Sequence, residues 1–233
     1  MKQLFLKFTI LFSSLLLMQP AEAQLWEILN PLPEGSGRYR CHFVDAQNGW
    51  VFRTGSTQLL RTRDGGNTWT ELYPMTGMRY ICMTDTLVGY MIVEEEWLKL
   101  FKTNDGGVNW TLNPLDFYFS TSIYQAVKPL YFINQSVGFI ANDDSYMKTV
   151  DGGISWTEME LPFGGTAKRI HNINFVNDTI GWIAASSEGL YGKVFYTNNQ
   201  GENWQLLKDD MGIISGLDAL NENTTLITHF IFG

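Results

Sequence analysis

The chain has 233 residues and a net charge of −8, with 45% hydrophobic residues, 14% aromatic residues and 22 glycines. A charged fraction of 17% excludes a disordered chain, the acidic balance excludes a general nucleic-acid binder, and two cysteines exclude a dense disulfide scaffold. His42, His171 and His229 show no metal-ligand spacing, so neither a metal nor a cofactor is expected.

Residues 1–23 read as a secretory signal peptide. Lys2 and Lys7 precede an apolar run from Phe8 to Met18, Pro20 ends it, and Ala21-Glu22-Ala23 is a small–x–small cleavage site. The run is shorter than a spanning helix needs, and no cysteine follows the cleavage site to carry a lipid anchor. Cleavage after Ala23 removes two lysines and one glutamate, making the chain one unit more acidic. The mature protein, residues 24–233, is expected to be secreted or periplasmic, with no membrane span.

Residues 25–31 form an orphan strand similar to the outermost strand of a four-stranded unit. Four units follow, at about 41–73, 80–115, 127–161 and 170–207, and a partial fifth at 213–233. In the first, strand a is Cys41–Asp45, strand b Gly49–Thr54, strand c Gln58–Thr62 and strand d Thr68–Tyr73; short runs punctuated by Gly and Asn fit strands and hairpins. Val127–Asn134 and Ile170–Asn177 are strands a of the third and fourth units. Gly216–Asn221 reads as a fifth strand a, with Thr225 where glycine is expected.

Two linked patterns carry this division. An eight-residue turn sequence occurs at Thr62-Arg63-Asp64-Gly65-Gly66-Asn67-Thr68-Trp69 and again at Thr103–Trp110, Thr149–Trp156 and Thr197–Trp204, with Asp105, Gly107, Asp151, Gly153, Asn199 and Gly201 in the corresponding places. Before each stands Asp or Asn, three residues, Gly and an aromatic: Asp45 to Trp50, Asp85 to Tyr90, Asn134 to Phe139 and Asn177 to Trp182. Phe43, Met83, Phe132 and Phe175 lie six residues before those glycines. The Asp side chain suits an Asx-type turn that the Thr hydroxyl joins, the fifth-position Gly suits a positive φ, and the Trp returns into the core between units. Such aspartates are structural and not catalytic. Cys41 and Cys82 fall on opposite strand faces in this register, so two buried free thiols are expected and no disulfide.

The eight-residue pattern resembles the Asp-box, or bacterial neuraminidase repeat, of β-propellers. A period of 41–48 residues fits one four-stranded antiparallel blade. The expected fold is therefore all-β: a propeller of four full blades with partial first and last blades, in an incomplete ring. Taken with the Gly-aromatic pattern, the sequence is most similar to the photosystem II assembly and stability factor family. That resemblance implies a non-catalytic, chaperone-like module that binds a newly made membrane subunit through an arginine patch.

Strand alternation puts the Asp-boxes and the a–b turns at one end, so a variable binding face belongs at the other. Arg38, Arg40, Arg53, Arg79, Trp97, Tyr118, Lys168 and Arg169 fall there and are the candidate partner-binding residues. Six of the seven arginines lie between positions 38 and 79, against Asp45, Asp64 and Glu71 only. Arginine beside aromatics suits a protein, peptide or carboxylate ligand. A carbohydrate is also compatible, and so are a sortilin-like peptide-binding propeller and a fragment of a sialidase or xyloglucanase. A glycosidase needs a carboxyl pair across the scissile bond, or a Tyr with an arginine triad. No such set is assignable, and the adjacent Asp143 and Asp144 lie in a short turn.

Overall fold

The computed structural model describes residues 38–96, 98–115, 129–141, 146–162, 169–186 and 192–230. Among them the chain is an all-β propeller. The first blade comprises β1 (Tyr39–Phe43), β2 (Gly49–Arg53), β3 (Leu59–Thr62) and β4 (Thr70–Leu72); the second β5 (Met78–Met83), β6 (Gly89–Glu94), β7 (Leu98–Thr103) and β8 (Thr111–Asn113). The third comprises β9 (Leu130–Phe132), β10 (Gly138–Ala141), β11 (Tyr146–Thr149) and β12 (Thr157–Met159); the fourth β13 (Arg169–Phe175), β14 (Gly181–Ser186), β15 (Gly192–Thr197) and β16 (Gln205–Met211). β17 (Ile213–Asn221) and β18 (Thr224–Phe230) form a two-stranded hairpin beside the fourth blade. Every pairing is antiparallel and sequential, and the first strands of successive blades are neighbours around a common axis. The signal segment expected at 1–23 and the strand expected at 25–31 lie outside the described residues.

The second sequence pattern has a plain steric cause. Phe43 pairs opposite Gly49, Met83 opposite Gly89, Phe132 opposite Gly138 and Phe175 opposite Gly181. In each case the large side chain lies across the glycine. A Cβ on Gly138 would sit 2.5 Å from the Phe132 ring, and one on Gly89 would sit 2.1 Å from the Met83 sulfur. The Asp or Asn four residues before each glycine closes the a–b turn. Asp45 Oδ1 accepts from the backbone N–H groups of Gln47 and Asn48 at 2.7 Å, and Asn134 Oδ1 from Ser136 at 3.0 Å and Val137 at 2.9 Å.

The eight-residue turns are equally regular. Thr62 Oγ1 donates to Asp64 Oδ1 at 2.9 Å and accepts from the Gly66 N–H at 2.8 Å, and the same pair of bonds recurs at Thr103, Thr149 and Thr197. Both central residues, not the fifth alone, have positive φ: 72° and 95° at Gly65 and Gly66, 60° and 74° at Gln200 and Gly201. The N–H of the fourth position also ties the turn to the a–b loop, as Gly65 does to Gln47 O at 2.9 Å and Gln200 to Thr179 O at 2.9 Å. The outer strands begin after the Trp, because the residues before it are held in the turn, as 67 and 68 are by Asp64; β4, β8 and β12 are therefore shorter than expected, while β16 runs on to Met211.

Four apolar clusters fill the four seams between neighbouring sheets. The first joins Trp50, Phe52 and Leu59 to Met78, Ile81, Met83, Met91 and Val93, and the last joins Trp182, Ala184 and Val194 to Ile214 and Leu217 of the hairpin. Side chains of one blade also bind the turn of the next. Trp50 Nε1 donates to Gly106 O at 3.0 Å, Tyr90 Oη to Gly152 O at 2.9 Å and Tyr146 Oη to Gly201 O at 3.0 Å. Burial holds the Tyr146 phenol up at about 12, so it remains a donor. Opposite the b-strand aromatic of the first three blades stands a cation: Arg61 lies 5.3 Å from the Trp50 ring, Lys102 5.2 Å from Tyr90 and Lys148 5.9 Å from Phe139, whereas in the fourth Tyr196 stands opposite Trp182. Arg61 Nη2 donates to Thr86 O at 2.9 Å and Lys102 Nζ to Gly152 O at 3.3 Å, while Lys148 pairs with Glu202.

Cys82 is buried as expected, but Cys41 is exposed. It lies on the face of the first blade turned away from the second, on the opposite side from Arg40 and His42, which face the neighbouring blade. Neither cysteine is in a disulfide.

Two substitutions test this architecture. Gly138→Ala is expected to destabilise the protein by about 1–3 kcal/mol in denaturant unfolding, because a ring has to move, whereas Gly89→Ala costs less because a flexible thioether yields. Tyr90→Phe removes one inter-blade hydrogen bond and is expected to cost about 1 kcal/mol in the same measurement.

Candidate functional site

The two ends of the propeller differ in what their polar groups are doing. At the end carrying the eight-residue turns, the carboxylates are occupied by their own loops. Asp105 Oδ1 accepts from the N–H groups of Asn109 at 2.9 Å and Val108 at 3.0 Å, and Oδ2 accepts from Asn109 Nδ2 at 2.8 Å. Asp151 Oδ2 accepts from Ser155 Oγ at 2.6 Å. Hydrogen bonds from Thr68 hold Asp64 below the usual carboxylate range, the Asn109 N–H does the same for Asp105, and the Ser155 hydroxyl and N–H hold Asp151 at about 2. Asn199 replaces the carboxylate in the fourth turn and still accepts, from the Asn203 N–H at 3.0 Å. Among the described residues no group of three His, Cys, Asp or Glu side chains is arranged to hold a metal ion.

At the opposite, distal end the arginines gather over the first two blades. Arg38 is exposed, and its carbonyl accepts from the Thr54 N–H at 2.8 Å and Thr54 Oγ1 at 2.9 Å. That fixes the start of β1 beside the β2–β3 turn. Gly55, at φ 79°, then donates its N–H to Met78 O at 2.9 Å, tying the turn to the first strand of the next blade. Arg53 stands opposite Tyr39 in the strand pair. Arg40 reaches across the seam, with its guanidinium carbon 5.8 Å from the centre of the Tyr80 ring. Burial pushes the Tyr80 phenol well up, so it stays neutral beneath that cation.

Arg79 forms an ion pair with Glu94 at the end of β6, both side chains about a third exposed. Glu94 is itself positioned by its N–H, which donates to Gly77 O at 2.8 Å; Gly77 adopts φ 78°, and a Cβ there would meet the Glu94 carbonyl. The neighbouring Glu95 pairs with Lys99. The structure thus brings Arg38, Arg40, Arg53 and Arg79 to one end of two adjacent blades. Arg169 opens the first strand of the fourth blade at the same end, and Trp97, Tyr118, Lys168, Asp143 and Asp144 lie outside the described residues.

Sequence reasoning missed two sets of residues. One is the inter-blade cations Arg61, Lys102 and Lys148, whose signal is a basic residue immediately before Thr in three of the turns. The other is the partner each distal polar residue finds within its own blade. Glu94 for Arg79 and Ser186 for His171 stand fifteen residues further along the chain in both cases, with Ser186 Oγ 2.9 Å from His171 Nε2.

No protein-family model and no curated protein sequence matches the chain. Solved structures do. A GH74 enzyme from Niastella koreensis matches over 78% of this chain and 32% of its own, with a TM-score of 0.62 and 18% identity. YCF48 from Cyanidioschyzon merolae matches over 88% of this chain and 70% of its own, with a TM-score of 0.58 and 11% identity. The GH74 xyloglucanase from Xanthomonas campestris matches over 77% and 34%, with a TM-score of 0.53 and 12% identity. At these identities the likeness is one of fold, and the chain spans about a third of the length of the GH74 enzymes.

The turn carboxylates give a pH signature. Their folded-state affinity for protons is below that of an unfolded aspartate, near 3.9, so their stabilisation is complete above about pH 5. It is lost as the pH falls toward about 2, where Asp151 takes up its proton. A thermal-unfolding series from pH 5 to 2 is expected to show a falling midpoint, and Asp151→Asn is expected to flatten that fall.

Proposed function

We propose that this propeller is an exported, non-catalytic binding module. Its distal rim over the first two blades takes a protein segment that presents carboxylates. The observation that carries this reading is the gathering of Arg38, Arg40, Arg53 and Arg79 at one end of two adjacent blades, with an aromatic ring beneath Arg40. The residues that give the chain its repeat support the same reading, since Asp64, Asp105 and Asp151 spend their acceptors on their own turns. Of the rim carboxylates, Glu94 and Glu95 each face a cation, a poor arrangement for the acid and base of a glycosidase. Export rests on the charged, apolar and small-residue succession of residues 1–23. The resemblance to the photosystem II assembly and stability factors supports a protein partner over a sugar.

The test is a pull-down of exported proteins on immobilised chain, followed by titration of the captured partner. Arg38→Glu combined with Arg53→Glu is expected to lower that affinity at least about tenfold, and raising the salt is expected to weaken the parent in the same direction. Capture unaltered by both changes overturns the rim as the binding face. Turnover of xyloglucan or a sialoside by the intact chain overturns the non-catalytic reading.

A further inference from the structure

The first strands of three sheets carry a bulge at the same place in the repeat. The extra residue is Arg79 between Met78 and Tyr80, His171 between Ile170 and Asn172, and Ser215 between Ile214 and Gly216. Arg79 and His171 stand ten residues before Gly89 and Gly181, and Ser215 stands ten before Thr225, which occupies the glycine place. A bulge re-aims the inserted side chain, and one recurring at a fixed position marks a feature of the architecture. All three fall at the distal end of the innermost strands. Each side chain meets the far end of its neighbouring strand: Arg79 pairs with Glu94, His171 Nε2 lies 2.9 Å from Ser186 Oγ, and Ser215 Oγ lies 2.9 Å from Thr228 Oγ1. The first blade has no such bulge. There Tyr39 pairs in register with Arg53, which brings an arginine to the same level from the second strand.

We propose that Arg79, His171 and Ser215 form one ligand-reading ring around the distal mouth of the propeller axis, and that the ring takes the acidic side chains of an extended peptide. The proposal rests on the reading of the distal rim as a binding face and adds to it the residues that give specificity. Guanidinium, imidazole and hydroxyl are all donors to a carboxylate, and Arg38 and Arg53 add positive charge beside them. The neighbour of His171 indicates a peptide over a bare anion. Asn172 is 2% exposed and donates through Nδ2 to Leu217 O at 2.9 Å, while its Oδ1 is buried with no hydrogen-bond partner among the described residues. Such an unmet acceptor suits a ligand that carries N–H groups as well as carboxylates, as a peptide does and an inorganic anion does not.

The experiment is fluorescence anisotropy of labelled hexaglutamate, with hexaglutamine as the neutral control, on four proteins of verified thermal midpoint. These are the parent, the rim variant Arg38→Glu with Arg53→Glu, the ring variant His171→Gln with Ser215→Ala, and Ser215→Ala alone in case the double variant fails to fold. The ring predicts that the parent binds hexaglutamate over hexaglutamine, that the double ring variant binds about tenfold more weakly, and that Ser215→Ala falls between them. Ring variants that bind like the parent, while the rim variant loses binding, overturn the ring and leave the rim reading standing. A parent that binds neither peptide overturns both.

Discussion

Everything in this protein depends on a threonine hydroxyl and an Asx oxygen holding two consecutive residues in the left-handed region. The backbone does not favour such a turn unaided, and the side chains supply the hydrogen bonds that the turned-back amides lack. Once set, the turn does three things. It reverses the third strand into the fourth, it donates an amide to the neighbouring loop of its own blade, and it offers carbonyl oxygens to the blade before it. Gln200 shows which element is dispensable. With φ at 60° it accepts the strained conformation that glycine adopts elsewhere, because the threonine and the Asx oxygen of its turn are still in place.

Among the described residues these clasps join each blade to its neighbour, as expected of an array built by radial repetition. Each seam has an apolar filling and a polar clasp, and the clasp changes composition while keeping its geometry. An indole donates at the first seam and a phenol at the second. At the third, phenylalanine occupies the strand position and cannot donate, so Tyr146 on the next strand takes over. Trp204 in turn donates to Tyr146 Oη at 2.8 Å and not to the glycine carbonyl used by the other three turn indoles. Substitution at one place in the repeat has been answered at another.

This compensation explains what could be read in the sequence. The turns and the Gly-aromatic pattern were legible because both impose steric demands that few residues meet: a left-handed pair, and a glycine beneath a ring. The four-stranded blade follows from them. The inter-blade cations were hidden because a lysine or arginine before a threonine reads as an ordinary solvated charge, and only cross-strand register places it over the next strand's aromatic. The exposure of Cys41 was hidden because it depends on which face of the first blade meets a neighbour. At the distal end the sequence showed arginines clustered in the chain, and strand parity placed them at one end. It did not show that Glu94 would pair with Arg79 or that bulges would bring Arg79, His171 and Ser215 to a common level, since an inserted residue leaves no periodic trace in so short a strand.

The seam between the first two blades has one more property. Met78, Met83 and Met91 are buried in it and Met75 packs against it, and Met83 lies directly across Gly89 where the other blades place a phenyl ring. Thioether sulfur is open to oxidation, and a sulfoxide is bulkier, polar and chiral. Arg40 crosses the same seam to the Tyr80 ring, and the backbone carbonyl of Met83 is bound by His42 Nε2 at 2.9 Å. Oxidation of any of these methionines would therefore be felt beneath the cationic rim.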